Sequence, residues 1–148
     1  MNWAQAESEI RAYIEVQWAA SAYSGVRLFW ENEDWIEGTE EFIYVDIQGV
    51  FSEKTIFGGV GKRMSVENGI VFLHAFNPKG TGKSRALSLL VSLTQILELK
   101  SIGTGGVIDL EGGAPPSPVE DDALVSGFPG GNYYRCSGSV PFIVRSSI

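Results

Sequence analysis

The stretch Ile70-Val-Phe-Leu-His-Ala-Phe76, then Asn77-Pro-Lys-Gly-Thr-Gly-Lys-Ser84, then Arg85-Ala-Leu-Ser-Leu-Leu-Val-Ser-Leu-Thr-Gln-Ile-Leu97 decides the fold. Its first part is apolar on both faces apart from His74, which predicts a central strand. Its last part repeats apolar residues at Ala86, Leu90, Leu93 and Leu97, widened by Leu87, Leu89, Val91 and Ile96. So wide an arc predicts a helix over 84–100 lying deep against a sheet. Thr81 or Asn77 can cap its start, and Gly103 follows its end. The joining loop is one residue short of a phosphate-binding loop: where Gly-x4-Gly-Lys-Ser/Thr needs its first glycine, this chain has Asn77.

That substitution matters physically. Glycines let backbone N–H groups close around a phosphate. Asn77 followed by Pro78 removes one donor and restricts the backbone to extended geometry. A phosphate-loop domain also needs a parallel sheet with crossover helices, and only one helix follows this loop. The reading preferred here is a plain strand-to-helix connection, with Lys83 and Arg85 facing solvent or a neighbour. A small nucleotide-binding protein is the alternative kept open.

Outward from this stretch, residues 3–23 predict an amphipathic helix. Ile10, Tyr13, Ile14 and Trp18 share its apolar face, with Gln17 the polar exception. Residues 26–30 predict a short strand. The best strand is 42–49, where Ile43, Val45 and Ile47 alternate with Tyr44, Asp46 and Gln48. One face is then buried and the other wet or partner-facing. Residues 51–64 read as a hairpin arm or mobile loop, and Asn68-Gly69 as a tight turn. Residues 107–111 predict a strand, and 112–131, dense in Pro, Gly and acids, a long loop. Residues 132–148 return as one or two strands, with Pro141 at a bend or edge. The expected fold is α+β, one domain over 1–148, with a mainly antiparallel sheet and both helices on one face.

Composition excludes several functions. The chain of 148 residues carries 11 Lys and Arg against 18 Asp and Glu, a net charge of −7. Phosphate-driven nucleic-acid binding needs an excess of clustered cations. The single cysteine, Cys136, and the single histidine, His74, exclude an internal disulfide and the usual zinc sets. No basic-then-apolar leader and no long apolar run are apparent, so neither a signal peptide nor a membrane span is expected. His74 reads as a core or interface histidine, because no nucleophile elbow accompanies it. Asp109 with Glu111, and Glu120-Asp-Asp122, read as solvated acids rather than a cation site. No catalytic set, cofactor or metal is expected, and the protein is not read as an enzyme.

Charge is unevenly spread. Glu31, Glu33, Asp34, Glu37, Glu40 and Glu41 form an acidic stretch, while Lys54, Lys62, Arg63, Lys79, Lys83 and Arg85 form a basic one. These are either two solvated faces or two patches through which copies meet head to tail. Trp35 in the acidic stretch and Phe57 in the Gly-rich arm are either core residues or interface anchors. The interface candidates are Trp35, Glu37, Glu40, Glu41, Phe57, Lys62, Arg63, Lys83 and Arg85.

The arrangement resembles the tail terminator proteins of long, non-contractile-tailed phages and of phage-derived tail particles, gene transfer agents included. The residues that carry the resemblance are Ile14-Glu-Val-Gln-Trp-Ala-Ala20, Leu28-Phe-Trp-Glu-Asn32, Phe42-Ile-Tyr-Val-Asp-Ile-Gln-Gly49, Gly61-Lys-Arg63, and Gly69-Ile-Val-Phe-Leu running into Asn77-Pro-Lys-Gly-Thr-Gly82. It covers nearly the whole chain, and the loop 112–131 departs from it. In that family the Pro-x-Gly-x-Gly turn simply joins strand to helix.

The resemblance implies a homohexameric ring that caps the tail tube, ends its polymerisation and presents a surface to the head–tail connector. Its implied partners are itself, the tube protein and the connector, with DNA passing through the lumen unbound. Its implied place is the neck-proximal end of the virion tail, assembled in the host cytoplasm. A neighbouring neck or tail-completion adaptor is the second reading.

Overall fold

The computed structural model describes residues 3–31, 41–49, 55–59, 64–78, 83–103, 107–114, 117–119 and 133–147. The elements run α1 (Trp3–Ala19), β1 (Arg27–Trp30), β2 (Phe42–Gly49), β3 (Thr55–Phe57), β4 (Met64–Pro78), α2 (Lys83–Leu97), β5 (Ser101–Ile102), β6 (Val107–Leu110), β7 (Ser117–Val119) and β8 (Tyr133–Ser147). The fold is α+β: two helices and one mixed sheet whose main path is β1-β2-β4-β8-β6-β5. β3 adds to β4, and β7 to β8.

The backbone of the sheet is the ladder between β4 and β8, fifteen residues long on each strand and unbroken from Met64↔Ser147 to Pro78↔Tyr133. This corrects two expectations. Asn68-Gly69 makes no turn; both lie inside β4, opposite Ile143 and Phe142. The glycine is needed for space instead. A Cβ on Gly69 would stand 2.3 Å from the Phe142 ring and 2.6 Å from the Trp3 ring. Those two rings stack with centroids 5.5 Å apart, so α1 is anchored to the sheet through this notch.

Pro141 likewise makes no bend and lies inside the long strand. Its carbonyl accepts the Glu111 N–H at 2.8 Å. Its nitrogen therefore points to the same flank, just past the end of β6, where a missing N–H breaks no ladder bond.

The sheet is also mixed rather than purely antiparallel, because β1 pairs with β2 in parallel, Arg27↔Phe42 through Trp30↔Val45. The other pairings are antiparallel. Within 51–64, expected as a hairpin arm or mobile loop, β3 pairs antiparallel with Met64–Val66 as a hairpin arm; within 112–131, expected as a long loop, β7 adds a strand paired with Arg135–Ser137.

Both helices lie on one face. α1 turns Ala6, Ile10, Ile14 and Trp18 inward at fourfold spacing. α2 contributes Ala86, Leu89, Leu90, Leu93 and Leu97. They meet Ile43, Val45 and Ile47 of β2, Val71, Leu73 and Ala75 of β4, and Cys136, Val140, Phe142 and Val144 of β8. The alternation read on 42–49 is therefore the real partition of faces. Two polar tips in this core find partners: Trp18 Nε1 donates to the Val26 carbonyl at 2.9 Å, and Tyr13 Oη to the Ile96 carbonyl at 3.2 Å. The helices end earlier than expected, at Ala19 and Leu97. Beyond the second, Leu99 takes φ 61°, a left-handed conformation in which helices commonly terminate.

Candidate interaction surface

The face turned away from the helices carries the alternate residues of the same strands. Register places Tyr44, His74 and Ser137 in one row across β2, β4 and β8, and Phe42, Phe76 and Arg135 in the next. The second row is dense. Phe42 stacks on Phe76 with centroids 4.7 Å apart and meets Phe29 edge-on at 5.4 Å. The Arg135 guanidinium lies 6.0 Å from the Phe76 ring and is almost wholly buried, as is Phe76. This satellite cluster is separate from the main core.

In the first row His74 stacks against Tyr44 at 6.0 Å, and its Nδ1 lies 2.7 Å from Ser137 Oγ. Burial, aided by the Arg135 charge, pushes the His74 pKa down to about 4, against a pull from Asp46. The imidazole is therefore neutral near pH 7. A serine beside a neutral histidine is half of a nucleophilic pair, but this one is poorly placed for acyl transfer. So low a pKa makes His74 a weak general base. Ser137 sits mid-strand between β4 and β7, whose ladders take up main-chain groups on both sides.

Of the interface residues expected from sequence, the structure brings two together. Arg85 of α2 donates Nε to Glu41 Oε2 at 2.9 Å and to Oε1 at 3.1 Å, and Nη2 to Oε1 at 2.5 Å. Its guanidinium also lies 4.9 Å from the Tyr23 ring. The charges of these two residues thus meet within one subunit, at the junction of α1, β2 and α2. Trp35, Glu37, Glu40, Lys62 and Arg63 lie outside the described residues, and Phe57 and Lys83 are described in backbone only. Asn77, the residue that spoils the phosphate-loop pattern, is fully buried at the end of β4. The three strands paired with β4, namely β2, β3 and β8, are all antiparallel to it, which is not the setting of a phosphate loop.

Two features escaped the sequence reading. One is Arg135, a cation buried on β8. The other is an acidic pair, Glu31 and Asp46, with Glu7 nearby. Glu31 follows β1 and Asp46 lies on β2, so only strand register makes them neighbours. Among the described residues no group of three His, Cys, Asp or Glu could hold a metal ion, and no helix is long and apolar enough to cross a membrane.

No protein-family model matches the sequence, and no curated protein matches it. Sixteen solved chains match its structure. One, whose name says nothing of its activity, aligns over 97% of this chain and 96% of its own at 12% identity, with a TM-score of 0.67. At that identity the likeness is one of fold.

Proposed function

We propose that this chain is a structural virion protein, a tail terminator. Its copies close a homohexameric ring on the end of a tail tube, stop the tube's growth and offer a docking surface to the head–tail connector. The reading places it at the neck-proximal end of the tail and gives it no enzymatic role. The observation that carries it is the one-sided layering of the sheet. Both helices cover one face, while the other presents Tyr44, Asp46, Phe72, His74 and Ser137 only half-buried. A ring subunit needs ordered surface that a neighbour can cover. The sequence resemblance to tail terminators and the continuous β4–β8 platform support the same reading.

The test is direct. Purified protein is examined by sedimentation and negative-stain electron microscopy, alone and with tube protein. Six-fold rings and tubes arrested at a capped end are expected. A chain that stays monomeric beside assembled tubes refutes the proposal. Rings that bind the connector but leave tube growth unaltered identify a neck adaptor instead. Magnesium-dependent nucleotide binding that requires Lys83 restores the phosphate-loop alternative.

A further inference from the structure

We propose that Glu31 and Asp46 share one proton, and that its loss loosens the end of β1 from β2, making this edge of the sheet a pH-sensitive element. The geometry starts from the parallel register. Trp30↔Val45 is the last pair of the β1–β2 ladder, so the next residues, Glu31 and Asp46, face each other across it. Like charges directly opposite on neighbouring strands destabilise the pairing. A single bridging proton removes the conflict.

The hydrogen bonding of Asp46 asks for that proton. Its Oδ2 accepts from Gln48 Nε2 at 2.5 Å. Its Oδ1 is shielded from solvent and has no donor among the described residues. The carboxyl that the strand register sets beside Asp46 is that of Glu31. Two carboxylates cannot bond each other; protonated, Glu31 becomes the donor that Asp46 needs.

Among the described residues, the charged and titratable groups around the pair come from α1, β2 and β4. From α1, Glu7 adds a like charge, and Arg11 is engaged with Glu15 at 3.2 Å while lying over the Trp30 ring. On β2, Tyr44 feels both carboxyls as repulsion against its own ionisation. From β4, His74 is close enough to interact with Asp46 but is held neutral by burial and Arg135. Partial desolvation of this otherwise exposed side chain, the hydrogen bond to Asp46, and the charges of Asp46 and Glu7 together push the Glu31 pKa up to about 7. Glu31 also borders a solvent-open cleft of about 380 Å³ with Glu7, Ser8, Arg11, Trp30 and Ile47, so the proton exchanges freely with bulk water.

The sign is fixed by linkage. Glu31 binds its proton more tightly in the folded chain, so its contribution falls as pH rises from 4.5 to about 7. β1 is a four-residue strand with a single hydrogen-bonded neighbour, β2, and is the first element to respond.

The experiment is a carboxyl-carbon NMR titration of the full chain from acid to alkaline pH, with amide exchange measured at Arg27–Trp30. Glu31 is expected to titrate more than one unit above 4.5. Asp46→Asn is expected to return that midpoint toward the ordinary range. Exchange at β1 should rise severalfold through the titration, beyond its intrinsic pH dependence, and Glu31→Gln should abolish the rise. An ordinary midpoint for wild-type Glu31, or β1 exchange that ignores pH, overturns the proposal. A midpoint unmoved in folded Asp46→Asn does the same. Should Asp46→Asn fail to fold, the wild-type and Glu31→Gln measurements decide alone. The readout is on the subunit itself, so it can fail while the ring reading stands, or the reverse.

Discussion

Arg85 grips both carboxylate oxygens of Glu41 across 44 residues of chain. The pair ties the first turn of α2 to the residue that enters β2, with Tyr23 beneath the guanidinium. One charge of the acidic stretch and one of the basic stretch are thereby matched inside the subunit.

The pair is partly exposed, at 42% for the Arg85 side chain and 25% for that of Glu41. A double-mutant cycle with Arg85→Ala and Glu41→Gln should therefore give a coupling of only about 0.5–1 kcal/mol in urea denaturation. High salt should shrink it. A coupling near zero at low salt would show that the fork does not persist in solution.

Gly69→Ala inserts a methyl group where Phe142 and Trp3 already close within 3 Å. The expected loss is about 1–3 kcal/mol, the cost of overpacking. Gly112→Ala meets nothing within 4 Å and serves as the control. Its effect should stay within about 0.5 kcal/mol. Thermal melts of the two variants side by side make the comparison.

His74, held down to about 4 against an ordinary 6.5, binds its proton less tightly folded than unfolded. Its contribution to stability is present above pH 6.5 and is lost as pH falls through 4. The loss should be on the order of 2–3 kcal/mol. Glu31 changes stability in the opposite sense over an overlapping range, so the measurement belongs in a Glu31→Gln background. There, His74→Asn should flatten the acid limb of calorimetric stability against pH. An unchanged limb would assign the acid sensitivity elsewhere.

Leu99 is 79% exposed and adopts φ 61°. Glycine bears that conformation without a Cβ penalty, so Leu99→Gly should stabilise by up to about 1 kcal/mol despite the entropy it adds to the unfolded chain. Chemical denaturation reads this. A destabilised variant would mean that the leucine packs on something in solution, and light scattering would then show association in the wild type only.

Reversing Lys62 and Arg63 to Glu should weaken ring formation, most at low salt, where exposed charges act furthest. Sedimentation at two ionic strengths checks it. Rings unchanged at both would remove these residues from the subunit contact.

Much of the frame was legible in the chain. The period of two in 42–49 named the inward residues Ile43, Val45 and Ile47 because a strand side chain has only two directions to choose from. The stripe Ala86, Leu90, Leu93, Leu97 announced a deeply packed helix for the same local reason. Asn68-Gly69 misled because a turn and a steric notch use the same glycine: the sequence shows the missing Cβ, not the Phe142 and Trp3 rings that require it. The candidate surface was less legible. His74 and Ser137 are 63 residues apart, and nothing local to either predicts a 2.7 Å contact.

By itself, then, the sequence determined the two helices and the principal strands, their apolar faces, the lack of enough cysteine and histidine for the usual zinc sets, and the net charge. These depend on side-chain chemistry and short-range spacing alone. The tertiary structure decided the parallel pairing of β1 with β2, the unbroken β4–β8 ladder, the burial of Arg135 and the meeting of Glu31 with Asp46. Each depends on strand register, a relation between distant segments that is set by the packing of the whole sheet beneath its two helices.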